Sequence, residues 1–139
     1  MPACVFCAVV DGAPHHEVYR DEQVVAFLDR APLLPGHTLV VPREHIETLE
    51  DLPAGVLEPL FGVVQRLSRA FAAALGAEGS LVAINTRISQ SVPHMHAHVV
   101  PRRKGDRLFV RGAPMMWIRR SYEVGEAEAI AAKLRAALA

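Results

Sequence analysis

The sequence contains only two cysteines, Cys4 and Cys7, among 139 residues. Two are too few for a disulfide scaffold, which points to a reduced, cytoplasmic protein. No sign of charge prevails, because 15 basic residues balance 15 acidic ones. The lack of a basic excess argues against nucleic-acid binding by phosphate neutralisation. A small phosphorylated ligand remains possible, since one cleft needs only a few local donors. No apolar run reaches the roughly 18 residues of a membrane span. The stretch before Cys4 is too short for the charged and apolar regions of a signal peptide, so none is expected. There is no internal repeat, low-complexity tract or linker, and a single domain over residues 1–139 is expected.

What is present is a chain that is 51% hydrophobic, enough for a core. The N-terminal CVFCAVV is apolar and suits a helical turn or a tucked loop. Val18 to Arg20 and Val24 to Leu28 are β-rich, and Asp21 and Glu22 between them suggest a hairpin. APLLPG (31–36) is a Pro/Gly loop, followed by a buried strand in HTLVVP (37–42) that its proline stops. Leu60, Val63, Val64, Leu67, Phe71 and Leu75 recur at helical spacing, with a start near Asp51 and Pro53 and a stop at Gly76. Pro59 falls inside this pattern and predicts a kink or the true first turn. LVAIN (81–85) and His94 to Val100 read as further strands. A second helix from Gly125 carries Ile130, Leu134 and Leu138 on one face. Strands cluster around one long helix without βαβ alternation, which predicts an α+β domain with an antiparallel sheet.

The segment QSVPHMHAHVVPRR (90–103) holds three of the seven histidines at alternate positions. In a strand His94, His96 and His98 would share a face, about 6.5 Å apart by strand rise. Met95 and Ala97 would point the other way and pack on the helix. Three readings compete. The histidines can be an incidental polar face. They can bind a catalytic zinc, with water in the open position. Or one can be a nucleophile at phosphorus, since imidazole is largely unprotonated above its pKa of about 6.5. A neighbouring imidazole would fix the tautomer of the nucleophile, and another would protonate the leaving group. Gln90 and Ser91 just before the row are neutral hydrogen-bonding groups suited to phosphoryl oxygens or a leaving group. A metal site more often recruits a carboxylate, and none lies between Asn85 and Val100. Cys4 and Cys7 have the spacing of half a zinc site, and His45 in PREHIE is a candidate further ligand. A redox pair would need a preceding strand; two inert buried cysteines are the remaining reading. His15 and His16 read as exposed loop residues.

QSVPHMHAHVV resembles the signature of the histidine-triad (HIT) superfamily, His-x-His-x-His followed by two apolar residues. CVFCAVVDG, VVAFLDRAPLLPGHTLVVPREH and LVAIN match the superfamily's layout in order. The resemblance covers residues 4–103 and leaves 104–139 as a C-terminal extension. It lies nearest the bacterial Hint-like branch with an N-terminal Cys-x-x-Cys.

The resemblance implies a five-stranded antiparallel sheet with one long helix and a C-terminal helix. It implies a homodimer whose sheets join edge to edge. It implies hydrolysis or transfer of nucleoside monophosphates from phosphoramidates, adenylates or dinucleoside polyphosphates. His96 matches the nucleophile that becomes nucleotidylated, with His98 and His37 flanking it. Ser91 and Gln90 match the phosphate and leaving-group contacts, Asp29 the ribose carboxylate, and Asn85 a ribose or phosphate ligand. Phe6, Val9 and the Ala13-Pro14 turn match the apolar lining of a purine pocket. In the Cys-x-x-Cys branch, Cys4, Cys7, His45 and His94 would hold a structural zinc with no open position.

Three departures stand out. The Asn85–Gln90 loop is shorter than usual, lacks glycine and carries Arg87. Arg30 replaces an aliphatic residue after the ribose aspartate, and the tail RGAPMMWIRRSY (111–122) has no aligned counterpart. A non-catalytic nucleotide-binding module and a zinc-dependent hydrolase using the histidine row are the alternatives to the nucleophilic enzyme.

Overall fold

Runs rich in β-branched residues form the strands, as their fit to a pleated surface predicts. The computed structural model describes residues 3–109 and 117–139. A short helix α1 (Val5–Val10) leads into β1 (Glu17–Arg20), β2 (Val24–Leu28) and β3 (Thr38–Pro42). The long helix α2 (Ala54–Leu75) follows, then β4 (Gly79–Ala83), β5 (Ala97–Arg102) and α3 (Glu126–Leu138). The strands form one antiparallel sheet in the order β1-β2-β3-β5-β4. This is the expected α+β architecture.

The apolar stripe of α2 (Leu60, Val63, Leu67, Phe71) and that of α3 (Ala131, Leu134, Leu138) cover one face of the sheet. They meet Val24, Ala26, Leu28, Val40, Ala97 and Val99. On the opposite face, Phe6 and Val9 of α1 cluster with Val25, Phe27, Leu39 and Val41. Covering both faces is why β2 and β3 are unbroken apolar runs rather than alternating ones.

Helix α2 ends where expected, at Gly76 in the left-handed conformation (φ +66°). Pro59 lies beyond the first turn and cannot donate to the Gly55 carbonyl. The Gln23 amide supplies that missing donor at 3.0 Å. The sequence alone pointed to a kink or a new start at this proline; a side chain from the β1–β2 turn completes the helix instead.

Strand β5 begins at Ala97, three residues later than the sequence suggests, and runs on through Pro101 and Arg102 against β4. Extending the β3–β5 register from Val40↔Ala97 would set Pro42 opposite Met95, and proline has no N–H to pair. The lead-in instead bonds elsewhere, with the Met95 N–H on the Ile46 carbonyl at 2.7 Å. Met95 and Ala97 still point into the core, 1% and 0% exposed. Among the described residues no helix is long and apolar enough to cross a membrane.

Candidate active site and metal centre

Departure of the chain from strand geometry at His94 separates the three histidines. His94 turns toward α1, where Cys4 caps the helix and its Sγ accepts the Cys7 N–H at 3.4 Å. His94 Nδ1 lies 3.4 Å from Cys4 Sγ and 3.6 Å from Cys7 Sγ, and His45 Nδ1 lies 3.2 Å from Cys7 Sγ. All four ligand atoms fall within 4.8 Å of one another. A tetrahedral zinc with ordinary Zn–S and Zn–N lengths would separate S and N by about 3.6 Å, so the group can hold such an ion. His94 Nε2 donates to the Pro42 carbonyl at 2.8 Å, which leaves Nδ1 unprotonated toward the cysteines. Without a cation the Cys7 thiol is pushed up to about 11, first by burial and then by Cys4. A bound cation would reverse that by stabilising the thiolates.

His96 and His98 face a cavity of about 570 Å³. Its walls are mainly apolar, and Phe6, Val9, Ala13, Pro14, Phe27 and Val92 are among them. Ser91, Asp29, Arg30 and Arg119 also line it. Phe6 meets the His96 ring edge-on, with centroids 4.9 Å apart.

The hydrogen bonds assign every tautomer here. His96 Nδ1 faces the His94 carbonyl at 2.8 Å, so it carries the proton and Nε2 keeps its lone pair. The Leu33 N–H donates to His37 Nδ1 at 3.0 Å, so the His37 proton is on Nε2. That Nε2–H donates to His98 Nδ1 at 2.9 Å, which places the His98 proton on its own Nε2. The His96 and His98 rings are 5.0 Å apart. A lone pair and an N–H donor therefore stand side by side on one cavity.

Burial lowers all four pKa values. His37 falls to about 4 and His98 to about 3. The histidines are neutral near pH 7, as the tautomer pattern requires.

Asp29 is held in place from two sides. Its Oδ1 accepts the Ala31 N–H at 3.0 Å, and its Oδ2 takes Arg119 Nη1 at 2.5 Å and lies 3.8 Å from His37 Nε2. Gly36 (φ +97°) turns the chain into His37, and a Cβ there would meet Leu75 Cδ1 at 2.8 Å and Pro101 Cγ at 2.9 Å.

A HIT-domain model matches residues 11–105. The chain belongs to the HIT family. This HIT domain is 41% identical to an uncharacterised HIT-like protein of Mycobacterium tuberculosis, over 98% of this chain and 93% of that one. It also resembles the crystal structure of a zinc-bound histidine triad family protein from Mycobacterium smegmatis. That match has a TM-score of 0.81 and 39% identity, and covers 98% of this chain and 93% of the other. An adenylylsulfatase of Arabidopsis thaliana is 33% identical, over 76% of this chain and 55% of that protein.

Against this HIT fold the sequence-derived residues divide. His96, His98, Asp29, Ser91, Phe6 and Val9 line one cavity, with His37 buried directly behind His98. Cys4, Cys7, His45 and His94 form a second group beside it, with Cys4 also on the cavity wall. Gln90 and Asn85 are not on the cavity wall. The Gln90 amide donates to the Glu47 and Val92 carbonyls and accepts the Arg87 N–H, tying down its own loop. Arg87 and Ser89 take the positive φ that glycine adopts without strain, and Arg87 pairs with Glu50 in solvent.

Three residues on the site carry no local sequence signal. His15 is on the cavity wall, held by Glu17 at 3.1 Å, rather than in open solvent. Trp117 packs 4.9 Å from the His98 ring, and Arg119 pairs with Asp29 across 90 residues. The part of the unaligned tail before Trp117 lies outside the described residues.

Proposed function

We propose that this HIT domain is a nucleotide hydrolase or transferase that forms a covalent nucleotidyl intermediate on His96. The observation that carries the reading is the tautomer pattern. His96 has an available Nε2 lone pair, and His98 offers an Nε2–H beside it. Nε2 attacks the phosphorus of a nucleoside 5′-phosphoryl derivative, and the bond to the leaving group breaks with its electron pair on that group. His98 hydrogen-bonds the leaving atom and passes it a proton relayed from water. Water then attacks the same phosphorus, the P–N bond returns its pair to Nε2, and nucleoside monophosphate leaves as one water proton is released. Asp29 binds the ribose hydroxyls, the apolar wall takes the purine, and Ser91 contacts phosphoryl oxygens.

Cys4, Cys7, His45 and His94 hold a structural zinc in this reading. Four protein ligands leave no position for water, so the ion steadies the segment carrying His96 rather than activating a nucleophile. The protein works as a homodimer joined at a sheet edge, and β1 and β4 are the edges available.

The test is turnover of an adenosine phosphoramidate by the whole protein, with and without mild chelation, and again with His96→Ala. Loss of turnover in the variant and survival under chelation support the covalent reading. Activity removed by chelation and restored by zinc alone would instead favour a catalytic metal. Tight nucleotide binding without turnover would leave a binding module.

A further inference from the structure

Arg119 covers the carboxylate that the nucleotide reading gives to the ribose. Its Nη1 donates to Asp29 Oδ2 at 2.5 Å and to the Ala31 carbonyl at 2.8 Å. The other Asp29 oxygen already accepts the Ala31 N–H. With the guanidinium in place the Asp29 side chain is 12% exposed, whereas Arg119 is 39% exposed. Arginine is therefore the outer partner of the pair. A ribose cis-diol needs lone pairs on both hydroxyl-facing sides of a carboxylate, and so little of Asp29 is open that Arg119 stands in its path.

The segment carrying Arg119 lies across the loop between Asp29 and His37. The Arg120 N–H donates to the Pro32 carbonyl at 2.8 Å. The Gly36 N–H donates to the Tyr122 hydroxyl at 3.0 Å. Trp117 reaches His98 at the other end of the site. One stretch of chain, residues 117–122, thus touches the ribose carboxylate, the turn into His37 and the proton donor.

We propose that Arg119 is a specificity-determining residue that competes with the ribose cis-diol for Asp29. This rests on the nucleotide reading above. A nucleotide with both hydroxyls displaces the guanidinium and shifts the 117–122 segment. A nucleotide without them leaves the Asp29–Arg119 pair closed. The wild-type protein therefore discriminates for the diol less than a bare carboxylate would, because the diol contact at Oδ2 replaces a charge-assisted bond.

Trp117 is the single tryptophan and lies two residues from Arg119, so its emission reports the segment. The experiment titrates the full chain with AMP and with 2′,3′-dideoxy-AMP, following Trp117 emission and measuring Kd by calorimetry. Both ligands carry the same phosphate, so any direct effect of phosphate on Trp117 cancels between them. AMP is expected to change the emission and dideoxy-AMP to change it much less. In Arg119→Ala and Arg119→Gln the preference for AMP over dideoxy-AMP should rise by roughly tenfold, the worth of a hydrogen bond to a charged group. Glutamine keeps a donor for the Ala31 carbonyl, which guards against loss of the segment's fold. An unchanged or reduced preference in both variants, or equal emission changes with both ligands, overturns the proposal while nucleotide binding stands. Failure of both nucleotides to bind the wild type overturns it together with the nucleotide reading.

Discussion

His37 Nε2 donates to His98 Nδ1 at 2.9 Å, and the direction of that bond is set by neither ring. The Leu33 backbone N–H occupies His37 Nδ1 and so forces the proton to the far nitrogen. One loop amide thereby decides which edge of His98 presents a proton to the cavity.

Replacing His37 should therefore act through His98. His37→Ala is expected to lower kcat by about 10²-fold, in the range of general-acid effects, with little change in KM. Substrates with good leaving groups need less protonation and should lose less. Steady-state kinetics on a leaving-group series checks this; a uniform loss across the series would count against it.

Acid should unfold the protein through the same histidines. Their folded pKa values lie below the unfolded value of about 6.5, with His37 at about 4 and His98 at about 3. Between those values the unfolded chain binds more protons, so stability is full above pH ~6.5 and falls as pH drops toward 4. Urea midpoints from pH 7.5 to 4.5 should decline, and His98→Gln should flatten the slope. A variant slope as steep as wild type would refute the assignment.

Metal analysis of carefully reduced protein should find zinc near one per chain. Cys7→Ser should remove the metal and cost at least about 2 kcal/mol of stability, because loss of a structural metal is among the large single-site effects. Thermal melts with metal content measured alongside decide the point; an unchanged melting temperature in metal-free Cys7→Ser would argue against a structural role.

Gly36 is a packing and conformational constraint together. Gly36→Ala sets a Cβ at 2.8 Å from Leu75 and 2.9 Å from Pro101 on a backbone at φ +97°. The expected loss is about 2–3 kcal/mol, accompanied by lower activity because His37 follows directly. Denaturant melts and turnover of the same sample test both parts.

Much of the fold was legible in local pattern. The 3.6-residue spacing of α2, its stop at Gly76 and the paired strands around Asp21 all appear in the structure near their expected positions. The late start of β5 was not legible, because it depends on Pro42 falling opposite Met95 in a register that only pairing reveals. Gln23 completing the helix at Gly55 is hidden for the same reason.

Local spacing already carries the chemistry available: three alternating histidines, a Cys-x-x-Cys pair, one well-placed aspartate and the family they indicate. These are encoded in short spacings, which a chain carries whatever its fold. Folding in three dimensions sets how they divide. It turns His94 away to the cysteines and onto the Pro42 carbonyl, sets the His98 proton through His37 across 61 residues, and lays Arg119 on Asp29. Hydrogen-bond direction and contact across 90 residues depend on where the backbone passes in space, and no local pattern records that.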